Sequence, residues 1–580
     1  MRRSVAFLLS LILIIASLAG CSGDSNSKAE QSKAEQSKTE QSKAEASKAE
    51  ASKADEPGSD ETVTKIYDWP LTKDGVELNI FTKLLTSIED FDTNKTTLWY
   101  EEKTGVHVNW TQAPEAEYTT QMNLNITSGE WPDIYASNLS TTELTAMRNG
   151  GVIIPVDDLI DQYAYYAHQI LEEHPEYRDY LTAPDGHIYS LWYNDTGKHM
   201  FFSRKLFVKQ SWLDQLNLET PKTTQEFEDM LKAFRDNDMN GNGDTTDEVP
   251  YMTSFKGWGG TPFCYFICPF QMTSMDGIYS DENGVWHLAA AEAGYKDALT
   301  WLNHLYQEGL IAEESFTQDK NQFKAIINAP SEEETIVGCF TMAYQGDVIN
   351  NASYTKQGDY APVEPLEGPS GQKIAPTNGY GDFKARCAIT TKCENPKIAM
   401  QWLDFWLCPD GRLYQEYGVE EGVDYKIVDK PSIYGSPTSY ERLFELSQST
   451  LQNIVWYNHT VPRHDWEEIR YGNAMEDGSQ ETLLYQAALM YEDYYVPTGL
   501  KALFWIEDEV EAEEYDALKT DINDYIQVQS TAFTTGERSL DEYDAFVQEL
   551  KDIGMDRYLE LVGKFYGNSG VDYSGTIAGK

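Results

Sequence analysis

The sequence predicts an α/β protein built around a parallel sheet flanked by helices, with a mostly helical C-terminal part. Three observations carry this. From Glu77 onward, short strand patterns alternate with helical ones, the order that lays helices over a parallel sheet. About 515 residues follow a low-complexity start, enough for two or three domains with sizeable cores. From Asp508 to Phe565, apolar residues recur at helical spacing.

Taken in order, Glu77 to Phe81 alternates as a first strand. A helix follows around Asn94 to Thr104, and Gly105 to Trp110 reads as the next strand. A helix near Tyr118 to Ser128 leads to a short third strand, Pro132 to Tyr135. Val152 to Val156 precedes an acidic helix, Asp157 to Tyr166. Thr223-Thr224-Gln225-Glu226 places a capping box at the start of a helix to Phe234. A further helix spans Ala291 to Glu308. Ala388 to Thr390 is a strand, and Asn395-Pro396 opens a helix through Leu407. Glu513 to Gln529 and Ser539 to Ile553 are helical.

The chain starts differently. Arg2 and Arg3 precede an apolar run from Val5 to Leu18, too short to span a bilayer comfortably and laid out like an export leader. Leu18-Ala19-Gly20-Cys21 resembles a bacterial lipobox, which implies lipidation at Cys21. Residues 1–21 are then a lipoprotein signal peptide, and the protein is held by lipid alone on the outer face of a Gram-positive cell membrane. Within residues 22–62, Ser27 to Asp55 repeats a Ser-Lys-Ala-Glu unit without aromatic or branched aliphatic residues, so the segment builds no core and reads as a stalk.

A formal net charge of −50 repels phosphate backbones and excludes a nucleic-acid role. The 37 Tyr and 14 Trp offer flat faces with polar tips, which suit sugar rings as well as cores. Beyond Cys21, Cys264, Cys268, Cys339, Cys387, Cys393 and Cys408 show no metal-ligand spacing. They read as buried free thiols, with one Cys387–Cys393 disulfide as the alternative.

The strongest chemical motif is Asp238-Met239-Asn240-Gly241-Asn242-Gly243-Asp244-Thr245-Thr246-Asp247-Glu248. Oxygen side chains fall at positions one, three and five of an EF-hand-like loop, with Gly243 at its sharp turn and Asp244 at position seven. Position twelve is Val249, so closure falls to Asp247 or Glu248. The expectation is a structural Ca2+ held by Asp238, Asn240, Asn242, Asp244, Asp247 and Glu248; the alternative is a polar turn.

Motifs along the chain, in order, resemble family 1 extracellular solute-binding proteins of bacterial ABC importers. They are Trp131-Pro132-Asp133-Ile134, Gly150-Gly151-Val152-Ile153-Ile154-Pro155, Asp185-Gly186-His187-Ile188-Tyr189, Pro221-Lys222-Thr223-Thr224, Asn395-Pro396 and Tyr417-Gly418-Val419-Glu420-Glu421-Gly422. With the acidic loop, they point to a large lipoprotein branch similar to alginate-binding and rhamnogalacturonan-associated proteins. The resemblance implies a two-lobed periplasmic-binding-protein-like α/β fold with several crossovers and an interlobe cleft. It implies a monomer that binds an oligosaccharide, has no enzymatic activity and has permease subunits as partners. Lobe one is expected from 63–190 with 385–430, and lobe two from 191–384 with 431–580. By analogy Tyr135, Ser137 and Asn138 face the cleft, Trp192 and Tyr193 lie at one crossing, and Tyr380 and Phe383 at another. Trp258, between glycines, is a candidate ligand face, and Trp456, with Tyr457 and His459, is a further candidate. For each ring the alternative is core packing. An exported polysaccharide hydrolase or lyase and a lipid-tethered sugar sensor are the competing functions; no nucleophile motif or catalytic His cluster stands out.

Overall fold

The strand patterns resolve, in chain order, into β1 (Val76–Leu84), β2 (Val106–Pro114), β3 (Ile134–Leu139), β4 (Leu191–Asp195), β5 (Lys205–Lys209), β6 (Val249–Tyr251), β7 (Ile278–Ser280), β8 (Trp286–Leu288), β9 (Val337–Met342), β10 (Tyr360–Val363), β11 (Asp382–Ile389), β12 (Tyr425–Val428) and β13 (Ser439–Arg442). The computed structural model describes residues 68–329, 335–350, 359–377, 382–446, 451–456, 460–476, 479–502 and 505–567. The leader, Cys21, the stalk, Tyr380, Tyr457 and His459 lie outside the described residues. Everything described belongs to the unit Asp60–Lys580.

Two sheets organise the chain into two lobes. The first has the order β2-β1-β3-β11-β4, and the second β10-β5-β9-β6. β1 pairs in parallel with β2 and β3, the trio that the N-terminal alternation predicts. Both sheets are nevertheless mixed, because β11 runs antiparallel to β3 and β4, and β5 antiparallel to β9 and β10.

Local chemistry sets the connecting helices. Lys95–Thr104 begins where Asn94 accepts the Thr96 N–H, and it stops at Gly105, whose φ is 73°. Only glycine fits there, since a Cβ would lie 2.3 Å from the Thr72 carbonyl oxygen. Thr224–Arg235 carries the expected capping box between Thr223 and Glu226. The expected acidic helix stops early, at Tyr163, and a second helix, Tyr165–Glu173, starts after it. The reason is tertiary. Asp404, from a distant helix, accepts the N–H groups of Tyr166 and Ala167 at 3.1 and 2.7 Å and caps the second helix. Helix Pro396–Asp404 ends before a 3₁₀ turn at Phe405–Leu407. The expected third strand shifts to β3, beyond Pro132, which has no N–H to donate to a ladder.

The first core gathers Ile80, Ile134, Ala385 and Trp192 from the sheet with Tyr100, Trp402 and Trp406 from helices. Trp456 and Val461 also belong to it, so this lobe takes in part of the segment expected in lobe two. The second core joins Leu206, Val208 and Cys339 to helices Thr224–Arg235, Ala293–Gln307, Gln480–Glu492, Glu509–Thr535, Tyr543–Ile553 and Met555–Tyr566. The C-terminal part is helical as predicted. After helix Gln480–Glu492 the chain reaches back to the first lobe, where the Trp505 indole donates to Leu181 O at 2.8 Å and Thr145 donates to Ile506 O at 3.1 Å. The six cysteines beyond Cys21 are free, and Cys387 and Cys393 are not bonded to each other.

Candidate ligand cleft

Strand directions define an interlobe edge. β1, β2, β3 and β4 all run one way, so Leu84, Pro114, Leu139 and Asp195 end at the same edge, where Asp382 begins β11. In the second sheet, Lys205 begins β5 at the edge where Tyr251, Met342 and Val363 end β6, β9 and β10. Residues 196–204 lead from the first edge to the second, and residues 364–377 leave the second after Val363. In open α/β sheets, ligands bind outside the carboxyl ends of strands.

The second lobe brings an aromatic pair to this edge. Trp258, in the loop after β6, is 40% exposed, and Tyr344, just after β9, lies 6.0 Å from it in a T-shaped contact. His199, on the crossing segment, meets Trp258 at 6.3 Å. The loop is held from below, where Ala343 N–H donates to Trp258 O at 2.9 Å. Gly259 has a φ of 74°, and a Cβ there would lie 2.3 Å from both Ser203 O and Ala343 N.

The first lobe contributes polar groups. Arg386 donates to Asn138 Oδ1 at 2.9 Å, and its guanidinium lies 4.0 Å from the Tyr193 ring centroid, with Arg463 at 5.2 Å from the same ring. A bulge at Cys387, φ 62°, follows Arg386 and shifts the register of β11 against β3. Asp382 pairs with Lys384 at 2.5 Å.

A buried ionic cluster lies where the crossings meet. Asp465 accepts from Arg412 at 2.8 Å and Arg463 at 2.7 Å, while Asp195 lies 3.5 Å from Arg463 and 3.4 Å from Arg470. Burial opposes charge on Glu416, yet Arg412 and Arg442 hold its carboxyl down at about 2. His199 is kept neutral by burial and by Arg470, which donates to its ring. Gly197 leaves room for this packing, since a Cβ there would sit 2.8 Å from Asp195 Oδ1 and 3.0 Å from Arg470 Nε.

Of the residues expected to contact ligand, Trp258 is the exposed ring at the edge. Asn138 is half-buried and occupied by Arg386. Tyr135, Trp192 and Trp456 are core residues, a correction to their expected place. Tyr135 packs on Phe81, and Trp456 meets Trp402, Trp406 and Trp110 in tilted and edge contacts while its indole donates to Thr97. Ser137 is buried on β3. Phe383 is buried against Tyr177 and Tyr180. Tyr193 is buried between the two guanidinium groups. Sequence reasoning missed Tyr344, His199 and the ionic cluster. Its members span Asp195 to Arg470, and no local spacing marks them.

The acidic loop joins helix Thr224–Arg235 to β6. Asp238 accepts the N–H groups of Gly241 and Gly243 at 2.8 and 2.9 Å, and Asn240 and Asn242 accept those of Asn242 and Asp244. Asp244 takes Thr246 N–H and hydroxyl, and the Asn242 amide donates to Asp247 at 2.6 Å. Glu248 Oε1 accepts from Met239 N–H at 2.7 Å, but its Oε2 is buried without a hydrogen-bond partner. Burial raises that carboxyl group's pKa. Among the described residues, no three acidic, His or Cys side chains already converge as a metal cage. The all-oxygen donor set and the orphaned Glu248 oxygen fit a hard cation.

Residues 84–412 match the family described as bacterial extracellular solute-binding protein. The chain is 30% identical over 489 residues to the fructooligosaccharide ABC transporter substrate-binding protein FusA of Streptococcus pneumoniae, across 80% of this chain and 85% of that one. It is 22% identical over 496 residues to Lipoprotein LipO of Bacillus subtilis, across 85% and 92%. FusA solved in complex with kestose superposes with a TM-score of 0.70 at 25% identity, over 84% of this chain and 98% of that one. An EF-hand mutant of FusA, in complex with fructo-nystose, gives the same score at 24% identity over the same shares. Alginate-binding protein AlgQ2, solved without calcium ion, shares the fold with a TM-score of 0.62 at 22% identity, over 87% and 100%.

Proposed function

This chain belongs to the bacterial extracellular solute-binding protein family, and on that premise we propose that it captures a neutral oligosaccharide of the fructo-oligosaccharide class for an ABC transporter permease. The observation that carries this reading is the exposed Trp258 ring with the half-buried Tyr344 at the strand-end edge of the second lobe, together with Asp382 and Lys384 at the strand-end edge of the first. An aromatic face takes the apolar face of a sugar ring, while carboxylate, amide and ammonium groups hydrogen-bond its hydroxyls. Lobe closure over the sugar is the signal of occupancy to the permease. The proposed role is binding without catalysis.

Ca2+ is proposed as a structural cofactor. Asp238, Asn240, Asn242, Asp247 and Glu248 would hold it with the Asp244 backbone carbonyl, neutralising a loop of like charges next to β6. The anchor is proposed at Cys21, in keeping with the description of LipO as a lipoprotein. Cys21→Ser is expected to release the protein into the medium or leave its leader uncut.

Thermal shift in the presence of Ca2+ tests the ligand class. Kestose and nystose are expected to raise the melting temperature, because a ligand that binds only the folded state stabilises it, by about 2.7 kcal/mol at a hundredfold excess over Kd. Oligogalacturonides and alginate oligomers are expected to leave it unchanged. The opposite pattern overturns the neutral-sugar reading, and release of shorter sugars on thin-layer chromatography overturns the absence of catalysis.

A further inference from the structure

Lys205 is a buried cation without a carboxylate. It begins β5 at the interlobe edge and is fully buried. Among the described residues, no acidic oxygen lies within 4.0 Å of its Nζ. The ammonium instead donates to two backbone carbonyls, those of Phe202 and, at 3.1 Å, Ala343. Phe202 lies on the segment that crosses from the first lobe. Ala343 lies between the end of β9 and Tyr344.

Three pieces of backbone meet at this point. Ala343 gives its carbonyl to Lys205 and its N–H to Trp258 O. Gly259 presses on Ser203 O and Ala343 N so closely that any Cβ would collide with both. The Lys205 side chain ties the crossing segment to the end of β9, and the Ala343 N–H carries that tie on to the Trp258 loop. Burial and the neighbouring Arg204 push the Lys205 ammonium down to about 7.

We propose that Lys205 is a positioning residue for ligand capture: by tying Phe202 to Ala343 it sets Trp258 and Tyr344 as one aromatic face at a fixed attitude to the first lobe. This rests on the reading of Trp258 as a ligand face. The chemistry is specific to a multiple donor at the end of a flexible stem. Methionine fills the same space but leaves both carbonyls unpaired, whereas arginine keeps the charge and two or more donors.

The test has two arms, on the full mature protein with Ca2+. In the first, tryptophans are replaced by 5-fluorotryptophan, and the 19F resonance lost in Trp258→Phe identifies position 258. That resonance is expected to shift or broaden in Lys205→Met and to return toward its wild-type position in Lys205→Arg. Should Lys205→Met fail to fold, Lys205→Gln takes its place. A resonance unmoved by either substitution overturns the proposal without any ligand. In the second arm, kestose affinity is measured for Lys205→Met, Trp258→Ala and the double variant. Each single change is expected to weaken binding about tenfold, and the double variant to be no weaker than Trp258→Ala alone, since Lys205 acts through that ring. Losses that multiply overturn the proposal. An unchanged affinity in Trp258→Ala overturns the ligand-face reading itself, and the capture role of Lys205 falls with it.

Discussion

Trp258 and Trp456 are the same residue type with opposite placements. Trp456 is closed in by three other tryptophan rings and an indole hydrogen bond, whereas Trp258 keeps 40% of its surface in solvent and meets two rings only at their edges. Truncating Trp258 to alanine is expected to weaken sugar binding roughly tenfold, about 1.4 kcal/mol, measured by calorimetry. The melting temperature of the empty protein should stay close to wild type. A loss of the 3–5 kcal/mol typical of core Trp truncations, at about that magnitude, would mark it as a packing residue instead. Asp404 sets a second prediction. Burial pushes its carboxyl up to about 7, while its oxygens accept the N–H groups of Tyr166 and Ala167. A folded-state value above the unfolded one of about 3.9 means that its contribution is fully present below pH 4 and is lost as pH rises through 7. Asp404→Asn keeps an acceptor but cannot ionise. Melting curves from about pH 3 to 9 are expected to show wild type losing stability relative to this variant between about pH 4 and pH 7, with no further relative loss above pH 7.

At the scale of elements, the acidic loop decides how helix Thr224–Arg235 passes into β6. Its Glu248 spans the loop, with one oxygen on Met239 N–H and the other buried and unpaired. Chelation is expected to lower the melting temperature, and Asp238→Ala to lower it and abolish the response to added Ca2+. Identical scans with and without chelator would remove the cation from the account. Helices with local caps were legible in the sequence: Asn94 and Thr223 lie where the pattern predicts starts, because a cap acts over three residues. The break at Ala164 was not legible, because its cause is Asp404, more than two hundred positions away in the chain.

At the scale of the molecule, residues 196–204 pass from the end of β4 in one mixed sheet to the start of β5 in the other, and a buried ionic cluster holds this crossing through Thr196 and His199. Asp465 is its centre, accepting from Arg412 and Arg463. Removing one partner from such a group leaves charges buried without compensation. Asp465→Ala is therefore expected to cost about 3–5 kcal/mol, read from denaturant unfolding. A cost below about 1 kcal/mol would show that the cluster is solvated and does not hold the crossing.

Features that depend only on neighbours along the chain are legible in the amino-acid order. These are the strand–helix alternation, the capped helices, the helical C-terminal part and the oxygen-rich loop. Period and capping act within a few residues, so one sequence suffices to read them. On β4, Trp192 and Tyr193 were both candidates, and alternation alone dictated only that they face opposite ways. Tertiary structure decided which side was core: Trp192 entered the first core, while Tyr193 was taken between Arg386 and Arg463. It also decided that Tyr135 and Trp456 are buried and that β11 returns antiparallel. Burial and charge pairing depend on which distant segments fold against a residue, and no local spacing encodes that choice.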